Sequence, residues 1–278
     1  MPDSRGDMTV DDPLAVADEI ASLARPLLVV FDCDGVLAPI VEHPDDSQLL
    51  DGTSELLADL ATPDDVSVAI LSGRSVAGLD QFDFDPAIDV VGSYGNERRG
   101  DDGAALTPGE RELLARLVVL AEEGAAAAGD GAHVEHKPAS VVLHVRPADP
   151  ERGAAALAST RTRAEAIPGA EVHDGSAVVE LMARSADKGT ALDSLRAEYR
   201  PNSTVYVGDD VPDEQAFLRL GRGDVSIRVG HGESHARRRL ADPDAVQRML
   251  RHLAESVSSP PHRARPNAQP GNRTKGTP

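Results

Sequence analysis

The sequence predicts an α/β protein in which a parallel sheet flanked by helices is interrupted by an inserted α+β module. Short, wholly apolar runs such as Leu27–Phe31 alternate with amphipathic stretches, which is the pattern of βαβ units. Polar residues gather directly after these runs, where open parallel sheets place their ligands. From about residue 98 to 186 the pattern changes to short alternating strands and Ala-rich helices, after which the first pattern resumes.

The first part of the parallel pattern covers residues 25–98, after an N-terminal segment and helix in residues 1–24. Apolar residues at helical spacing predict helices over 13–23 and 47–61. Continuous apolar runs predict buried strands at Leu27–Phe31, Val66–Leu71 and 88–91.

The inserted module is predicted to span residues 99–186, and the parallel pattern to continue through 187–257. Hairpins combined with helices are typical of a small antiparallel sheet covered on one face. The module should contain helices over Pro108–Ala128 and 150–166 and strands over 133–137, 140–146, 170–173 and 177–182. The second parallel part should contain helices over 190–199, 212–220 and 243–255 and strands over 204–207 and Val225–Val229.

Composition limits the classes of partner. The formal net charge of −19 disfavours nucleic acid and anionic membranes, since both require clustered Lys and Arg. The single cysteine, Cys33, excludes an internal disulfide, and the N-terminus lacks an apolar signal core, so a cytoplasmic protein is expected. No obligate protein partner is inferred. Residues 258–278, rich in Pro, Arg and Asn, are predicted to be a disordered tail.

The strand Leu27–Phe31 ends in two carboxylates, Asp32 and Asp34, separated by Cys33. Because side chains alternate along extended backbone, both acids should point into one small volume, and Gly35 then permits a sharp turn. Two carboxylates this close repel each other, which favours a divalent cation, a shared proton, or both. A turn with a capping Asp is the alternative.

Further polar clusters follow other elements of the predicted sheet. An attack by a carboxylate on phosphorus requires the charge of the phosphate to be neutralised by a metal, a lysine and hydroxyl or amide donors. Each cluster alone also fits a helix cap or a solvated surface, but their joint order favours a phosphate site. The clusters are Asp32 with Asp34, Ser72 with Arg74, Lys188, and Asp209 with Asp210 and Asp213. Carboxylates from separate strands suit Mg²⁺. Zinc is disfavoured, because the histidines form no ligand-spaced cluster beside cysteine.

The motifs resemble those of known phosphatases. Asp32-Cys33-Asp34-Gly35, Ser72-Gly73-Arg74, Lys188-Gly189 and Gly208-Asp209-Asp210 resemble the haloacid dehalogenase superfamily. Within it, Val134-Glu135-His136-Lys137, Leu143-His144-Val145-Arg146, Val179-Glu180-Leu181 and the run 208–217 resemble trehalose-6-phosphate phosphatases. The resemblance covers residues from about 26 to 255. It implies a Rossmann-like core of the haloacid dehalogenase type with an inserted C2-type cap.

The resemblance also implies roles. Asp32 would be the nucleophile that forms an aspartyl-phosphate, and Asp34 the acid and then the base. Mg²⁺ would be held by Asp32, Asp209 and the backbone carbonyl of Asp34. The other implied roles are phosphoryl binding by Ser72, Gly73 and Lys188, organisation of the metal's surroundings by Asp210 and Asp213, and substrate binding by Arg74, Glu97, Lys137, His144, Arg146 and Glu180.

The sequence departs from the resembled family at two places. Val211-Pro212 stands where threonines are usual, and Tyr94-Gly95-Asn96 stands where a His-Gly pair is usual. The expected activity is Mg²⁺-dependent hydrolysis of trehalose 6-phosphate. Three alternatives remain open at this point: a phosphatase for another glycoside phosphate, such as a glucosylglycerol, glucosylglycerate or pseudo-disaccharide phosphate; a receiver-type signalling module; and a non-catalytic sugar-phosphate sensor.

Strand alternation makes a separate prediction for the inserted module. Val141, Leu143 and Val145 share one face and should pack on the module's helices. The opposite face then carries charged and polar side chains, which either meet solvent or close over a ligand. We expect the second arrangement, because disaccharide hydroxyls require partners of both charge signs and closure would exclude water. The polar face should carry Glu135, Lys137, His144, Arg146 and Glu180.

Overall fold

The computed structural model describes residues 9–41, 46–101 and 106–258. The predicted tail beyond residue 258 and the first eight residues of the predicted N-terminal segment lie outside this range. The helices are α1 (Pro13–Ala21), α2 (Thr53–Leu60), α3 (Val76–Leu79), α4 (Pro108–Ala128), α5 (Pro150–Glu165), α6 (Lys188–Tyr199), α7 (Val211–Phe217) and α8 (Pro243–Ser258). The strands are β1 (Leu27–Phe31), β2 (Val66–Leu71), β3 (Asp89–Gly92), β4 (Glu97–Arg98), β5 (His133–His136), β6 (Ser140–His144), β7 (Glu171–Gly175), β8 (Val178–Met182), β9 (Ser203–Gly208), β10 (Val225–Val229) and β11 (Arg238–Leu240).

The larger sheet has the order β11-β10-β9-β1-β2-β3-β4. All neighbouring pairs are parallel except β3 and β4. β1 is an inner strand, paired with β9 on one side and β2 on the other, and helices cover both of its faces, which explains its unbroken apolar sequence. The predicted α/β class with a parallel sheet is confirmed.

Alternate residues of β1 face two separate apolar layers. Leu27, Val29 and Phe31 belong to a cluster that also contains residues of α1, α2 and α8. Leu28 and Val30 pack instead with residues of α6 and α7. The sheet is therefore covered by helices on both faces, and the carboxyl ends of β9, β1 and β2 are aligned at one edge.

The second sheet is antiparallel, in the order β5-β6-β8-β7. Val141, Leu143 and Val145 join an apolar cluster with residues of α4 and α5, as alternation along the strand predicted. We call this sheet and its two helices the cap. The exact boundaries of the cap, near residues 98 and 186, stay a prediction.

The structure corrects several boundaries. The helix predicted from residue 47 begins at Thr53, after Gly52 in a left-handed conformation (φ 82°). The helix predicted from residue 190 begins at Lys188, because the Asp187 side chain accepts a hydrogen bond from the Thr190 amide and caps it. The sequence reading missed α3, β4 and β11, which have four residues or fewer. Among the described helices, none has the length and apolar character needed to cross a membrane.

Candidate active site

The predicted phosphate-site residues meet at the carboxyl edge of the larger sheet. Asp32 and Ser72 directly follow β1 and β2, and Asp209 directly follows β9. Lys188 opens α6, and Asp213 lies in the first turn of α7. Because the three strands are parallel neighbours, residues far apart in the sequence, such as Asp32 and Asp213, are brought together.

Lys188 is the centre of this cluster. Its Nζ lies 2.7 Å from Asp32 Oδ2 and 2.7 Å from Asp213 Oδ1, and its side chain is only 3% exposed. Burial alone would lower the pKa of Lys188, but the two carboxylates outweigh burial and raise it. The ammonium group therefore remains charged beside Asp32, where it can bind an anionic group.

Asp213 is fully buried and accepts four hydrogen bonds. Its Oδ1 accepts from Lys188 Nζ and from the Tyr206 hydroxyl at 2.8 Å. Its Oδ2 accepts from the backbone amides of Asp209 and Asp210, both at 2.9 Å. A carboxylate offers about four lone-pair sites, so Asp213 is saturated and orients its neighbours.

Asp32 and Asp209 are less well satisfied. Asp32 accepts from Lys188 and from the Cys33 amide at 2.7 Å, whereas the Asp209 side chain accepts no hydrogen bond from the described residues. Burial, and then the charge of Asp213 against the opposing effect of Lys188, raises the pKa of Asp32 to about 8 and that of Asp209 to about 7. Even with Lys188 beside them, these two adjacent carboxylates resist ionisation, so a further cation bound between them would stabilise their charged forms.

This pair fits a divalent metal. Ligand atoms of Asp32, Asp209 and Asp213 all lie within 4.8 Å of one another. Gly35 has φ +74°, and a Cβ at that position would come within 2.1 Å of Asp209 Oδ2, so only glycine leaves room for this carboxylate. Clustered carboxylate oxygens are the donors that Mg²⁺ prefers.

Asp34 is held by a different set of contacts. Arg74 donates to both of its oxygens, with Nε to Oδ2 at 2.5 Å and an Nη2 to Oδ1 distance of 2.7 Å. Ser47 Oγ donates to Oδ1 at 3.2 Å, and the Arg74 guanidinium lies 5.4 Å from the centre of the Phe82 ring. Arg74, predicted to bind substrate, thus contacts the predicted acid-base residue directly.

The cap contacts the core beside this site. Lys137 Nζ lies 3.1 Å from the carbonyl oxygen of Gly73. Gly73 belongs to Ser72-Gly73-Arg74, the predicted phosphate-binding segment after β2, which we call the phosphate loop. The same Nζ lies 3.2 Å from both oxygens of Glu180, which also accepts from Ser140 Oγ at 2.5 Å. The side chains of Lys137 and Glu180 are 6% and 8% exposed. The polar face of the cap is therefore closed against the core at these residues.

The remaining predicted site residues are placed differently. His144 contacts Glu135 at 2.9 Å and stacks on His133, and Arg146 is exposed and donates to the Ser176 carbonyl. The Glu97 carboxylate accepts from Ser93 Oγ and from the Val76 amide, and Asp210 caps α7. Substrate contacts by these residues stay predictions.

Sequence reasoning missed Tyr206 and Ser47. Tyr206 lies in β9 between the apolar residues Val205 and Val207, and its hydroxyl contacts Asp213. A polar atom on an otherwise apolar buried strand was the available signal. The sequence predicts Ser47 at the start of a helix, but it lies before α2, and its hydroxyl contacts Asp34.

The chain resembles phosphatases in sequence and in structure. The sequence profile of the trehalose-phosphatase family matches residues 30–245. The trehalose-6-phosphate phosphatase of Escherichia coli K12 is 32% identical over 242 residues, which cover 86% of this chain and 91% of that protein. The trehalose-phosphate phosphatase of Mycobacterium bovis BCG is 34% identical over 268 residues, which cover 90% of this chain and 66% of that protein.

A solved structure has a similar fold. The C-terminal domain of the Candida albicans trehalose-6-phosphate phosphatase superposes with a TM-score of 0.75 at 20% identity. That alignment covers 91% of this chain and 99% of the fungal domain. With a family profile matching most of the chain and an E. coli relative matched over nearly its whole length, the chain belongs to the trehalose-phosphatase family.

Proposed function

We propose that the protein hydrolyses trehalose 6-phosphate to trehalose and phosphate through an aspartyl-phosphate on Asp32. The observation that carries this proposal is the buried Lys188, which bridges Asp32 and Asp213, while Lys137 of the cap, paired with Glu180, contacts the Gly73 carbonyl next to Ser72. A retained ammonium group beside a carboxylate nucleophile meets the main requirement of phosphoryl transfer, which is neutralisation of the phosphate charge. The named activities of the relatives support the choice of substrate.

The residues suggest the order of events. Lys188 and the Ser72-Gly73 loop bind the phosphoryl oxygens, and an Asp32 oxygen forms a bond to phosphorus while the ester P–O bond breaks. Asp34, held by Arg74 and Ser47, gives a proton to the departing sugar oxygen. Asp34 then takes a proton from the water that attacks phosphorus, which releases phosphate and restores Asp32.

Mg²⁺ would be held by Asp32 and Asp209, whose carboxylates retain free acceptor sites, together with the backbone carbonyl of Asp34. It would offset the negative charge that accumulates between Asp32 and the phosphate. Asp213 is saturated by four donors and would orient Lys188 and the turn that carries Asp209. Asp210, at the start of α7, would help to organise the surroundings of the metal.

Release of inorganic phosphate from a panel of sugar phosphates, with and without Mg²⁺, tests the proposal. The panel should contain trehalose 6-phosphate, glucose 6-phosphate, glucosylglycerol phosphate and p-nitrophenyl phosphate. We expect preference for trehalose 6-phosphate and loss of turnover in EDTA, restored by Mg²⁺. Full turnover in chelator would contradict the metal assignment, and preference for another glycoside phosphate would reassign the sugar. Binding of sugar phosphates without phosphate release would favour a sensor.

A further inference from the structure

Tyr94 lies on an unusual turn at the junction of the core and the cap. Ser93 and Tyr94 both have positive φ, at 48° and 57°, which non-glycine residues adopt rarely. The turn is held against the phosphate loop, because the Tyr94 amide donates to the Ser72 carbonyl at 3.0 Å and the Ser93 amide to the Arg74 carbonyl at 2.7 Å. Glu97 accepts from Ser93 Oγ on the other side. The backbone conformation thus aims the Tyr94 side chain in a defined direction.

The phenol ring points towards the predicted phosphate loop. A Cβ at Gly73 would lie 2.6 Å from Tyr94 Cζ and 2.7 Å from its hydroxyl oxygen, so the end of the ring packs directly on Gly73. On the cap side, the ring of His173 meets the Tyr94 ring edge to face, with 5.4 Å between centroids. Tyr94 therefore contacts both units where the Lys137 side chain also crosses between them.

The hydroxyl of Tyr94 lacks a hydrogen-bond partner among the residues that the structure describes. Burial raises the pKa of Tyr94 to about 12, with the charge of Glu180 adding to the effect, so the phenol stays protonated at neutral pH. Partly buried tyrosine hydroxyls usually find a partner, and an unpaired one beside a ligand site is a donor that the ligand can satisfy. For comparison, the hydroxyls of Tyr199 and Tyr206 each contact a carboxylate.

We propose that Tyr94 is a substrate-binding residue whose hydroxyl donates a hydrogen bond to an oxygen of the sugar phosphate where core and cap meet. The inference deepens the proposed function and rests on it. Two oxygens are within the chemistry of this site: a phosphoryl oxygen, held next to Gly73, or a sugar hydroxyl, next to Glu180. Either assignment adds Tyr94, which is not among the predicted site residues, to the groups that bind the substrate.

The test compares Tyr94→Phe with Tyr199→Phe. Phenylalanine keeps the ring, its packing on Gly73 and the backbone strain, and removes only the hydroxyl. We expect Tyr94→Phe to keep its melting temperature and to lose about fivefold in kcat/KM if a neutral sugar oxygen is the acceptor, or more than tenfold if a charged phosphoryl oxygen is. Tyr199→Phe, which removes the contact with Asp89, should keep full turnover.

Three measurements identify the acceptor. Loss with trehalose 6-phosphate alone assigns a sugar oxygen. Parallel loss with p-nitrophenyl phosphate, together with weaker inhibition by inorganic phosphate, assigns a phosphoryl oxygen. Unchanged kcat/KM with both substrates and unchanged phosphate inhibition would overturn the inference. If the unaltered protein cleaves p-nitrophenyl phosphate but not trehalose 6-phosphate, the sugar assignment fails, and Tyr94 is then judged from p-nitrophenyl phosphate and phosphate inhibition alone.

Discussion

The three consecutive residues after β1 have different surroundings. Asp32 faces Lys188, Asp34 faces Arg74, and Cys33 between them is fully buried in the apolar layer that contains Val29 and Phe31. That Cys33 points away from the two acids could be predicted from the sequence, because alternation depends only on local extended geometry. The separate partners of Asp32 and Asp34 could not. The adjacent residues Asp32 and Cys33 offer a matched pair of substitutions, one in the site and one outside it.

Asp32→Asn should abolish turnover and phosphoenzyme formation, because an amide cannot serve as the nucleophile. Cys33→Ala, at the adjacent position, should retain turnover and lose about 1 kcal/mol of unfolding free energy. Steady-state phosphate release and urea denaturation of both variants check this. Rapid turnover by Asp32→Asn would contradict the covalent mechanism.

Asp34→Asn should slow hydrolysis of the sugar phosphate by roughly 10²–10⁴-fold, because proton transfer to the leaving oxygen is lost. With p-nitrophenyl phosphate, whose leaving group needs no proton, the same variant should show a burst of one p-nitrophenol per enzyme, followed by slow turnover. Stopped-flow absorbance measures the burst. Equal slowing of the burst and the steady state would argue against separate acid and base steps.

Other residues of the site could not be predicted from local sequence. The contact of Ser47 with Asp34 depends on where α2 begins, and the direction of Tyr94 depends on two left-handed residues. The contact between Arg74 and Asp34 joins the loops that follow β2 and β1. Each of these positions is set by the way loops pack at the edge of the sheet, which periodicity does not encode.

At the scale of elements, the ends of helices carry much of the organisation. Asp187 caps α6 and so places Lys188, and Asp210 caps α7 and so places Asp213. α4 begins with a capping box between Thr107 and Glu110. The long run of Ala, Leu and Glu in α4 allowed its bounds to be predicted, whereas β11, with three residues that include two arginines, gave no strand signal.

Glu110 links the start of α4 to the end of the cap sheet. Hydrogen bonds from Arg184, and then from Thr107, lower the pKa of Glu110 to about 2. A carboxyl with a lowered pKa stabilises the fold above its unfolded pKa, near 4.5, and that contribution is lost as the pH falls through about 2. Glu110→Gln should therefore be less stable than the unaltered protein at pH 7.

The difference in stability should shrink between pH 4.5 and pH 2. Urea denaturation of both proteins at pH 7 and pH 3 measures it. Glu112→Gln, at an exposed position two residues further along α4, is the control, and at pH 7 it should lose less stability than Glu110→Gln. A constant deficit of Glu110→Gln across the range would show that the charge of Glu110 contributes nothing.

At the scale of the molecule, one face of the cap packs on its own helices and the other meets the core. Both faces follow from alternation in β6, so the sequence sufficed to predict which side chains share a face. It could not show what the polar face contacts. The hydrogen bond from Lys137 Nζ to the Gly73 carbonyl shows that the polar face contacts the core at the phosphate loop.

Lys137→Ala and Glu180→Ala should reduce turnover of trehalose 6-phosphate by about tenfold or more, the loss of one charge-assisted hydrogen bond. They should affect p-nitrophenyl phosphate much less, because that substrate does not extend to the cap. Arg163→Ala, in an exposed ion pair with Glu123 on the outer helices, should leave both activities unchanged. Parallel losses with the two substrates would show that these residues do not read the sugar.

The order of strands also has a consequence for folding. β1 lies at the centre of its sheet, yet its partner β9 comes after the entire cap in the chain, so the central pairing must close a very long loop. The cap has its own apolar cluster, and the Glu110–Arg184 pair holds its two ends together. If the cap folds first, that loop is shortened before β1 and β9 meet. The unit that faces the substrate would then also set the time at which Asp32, Lys188 and Asp213 come together during folding.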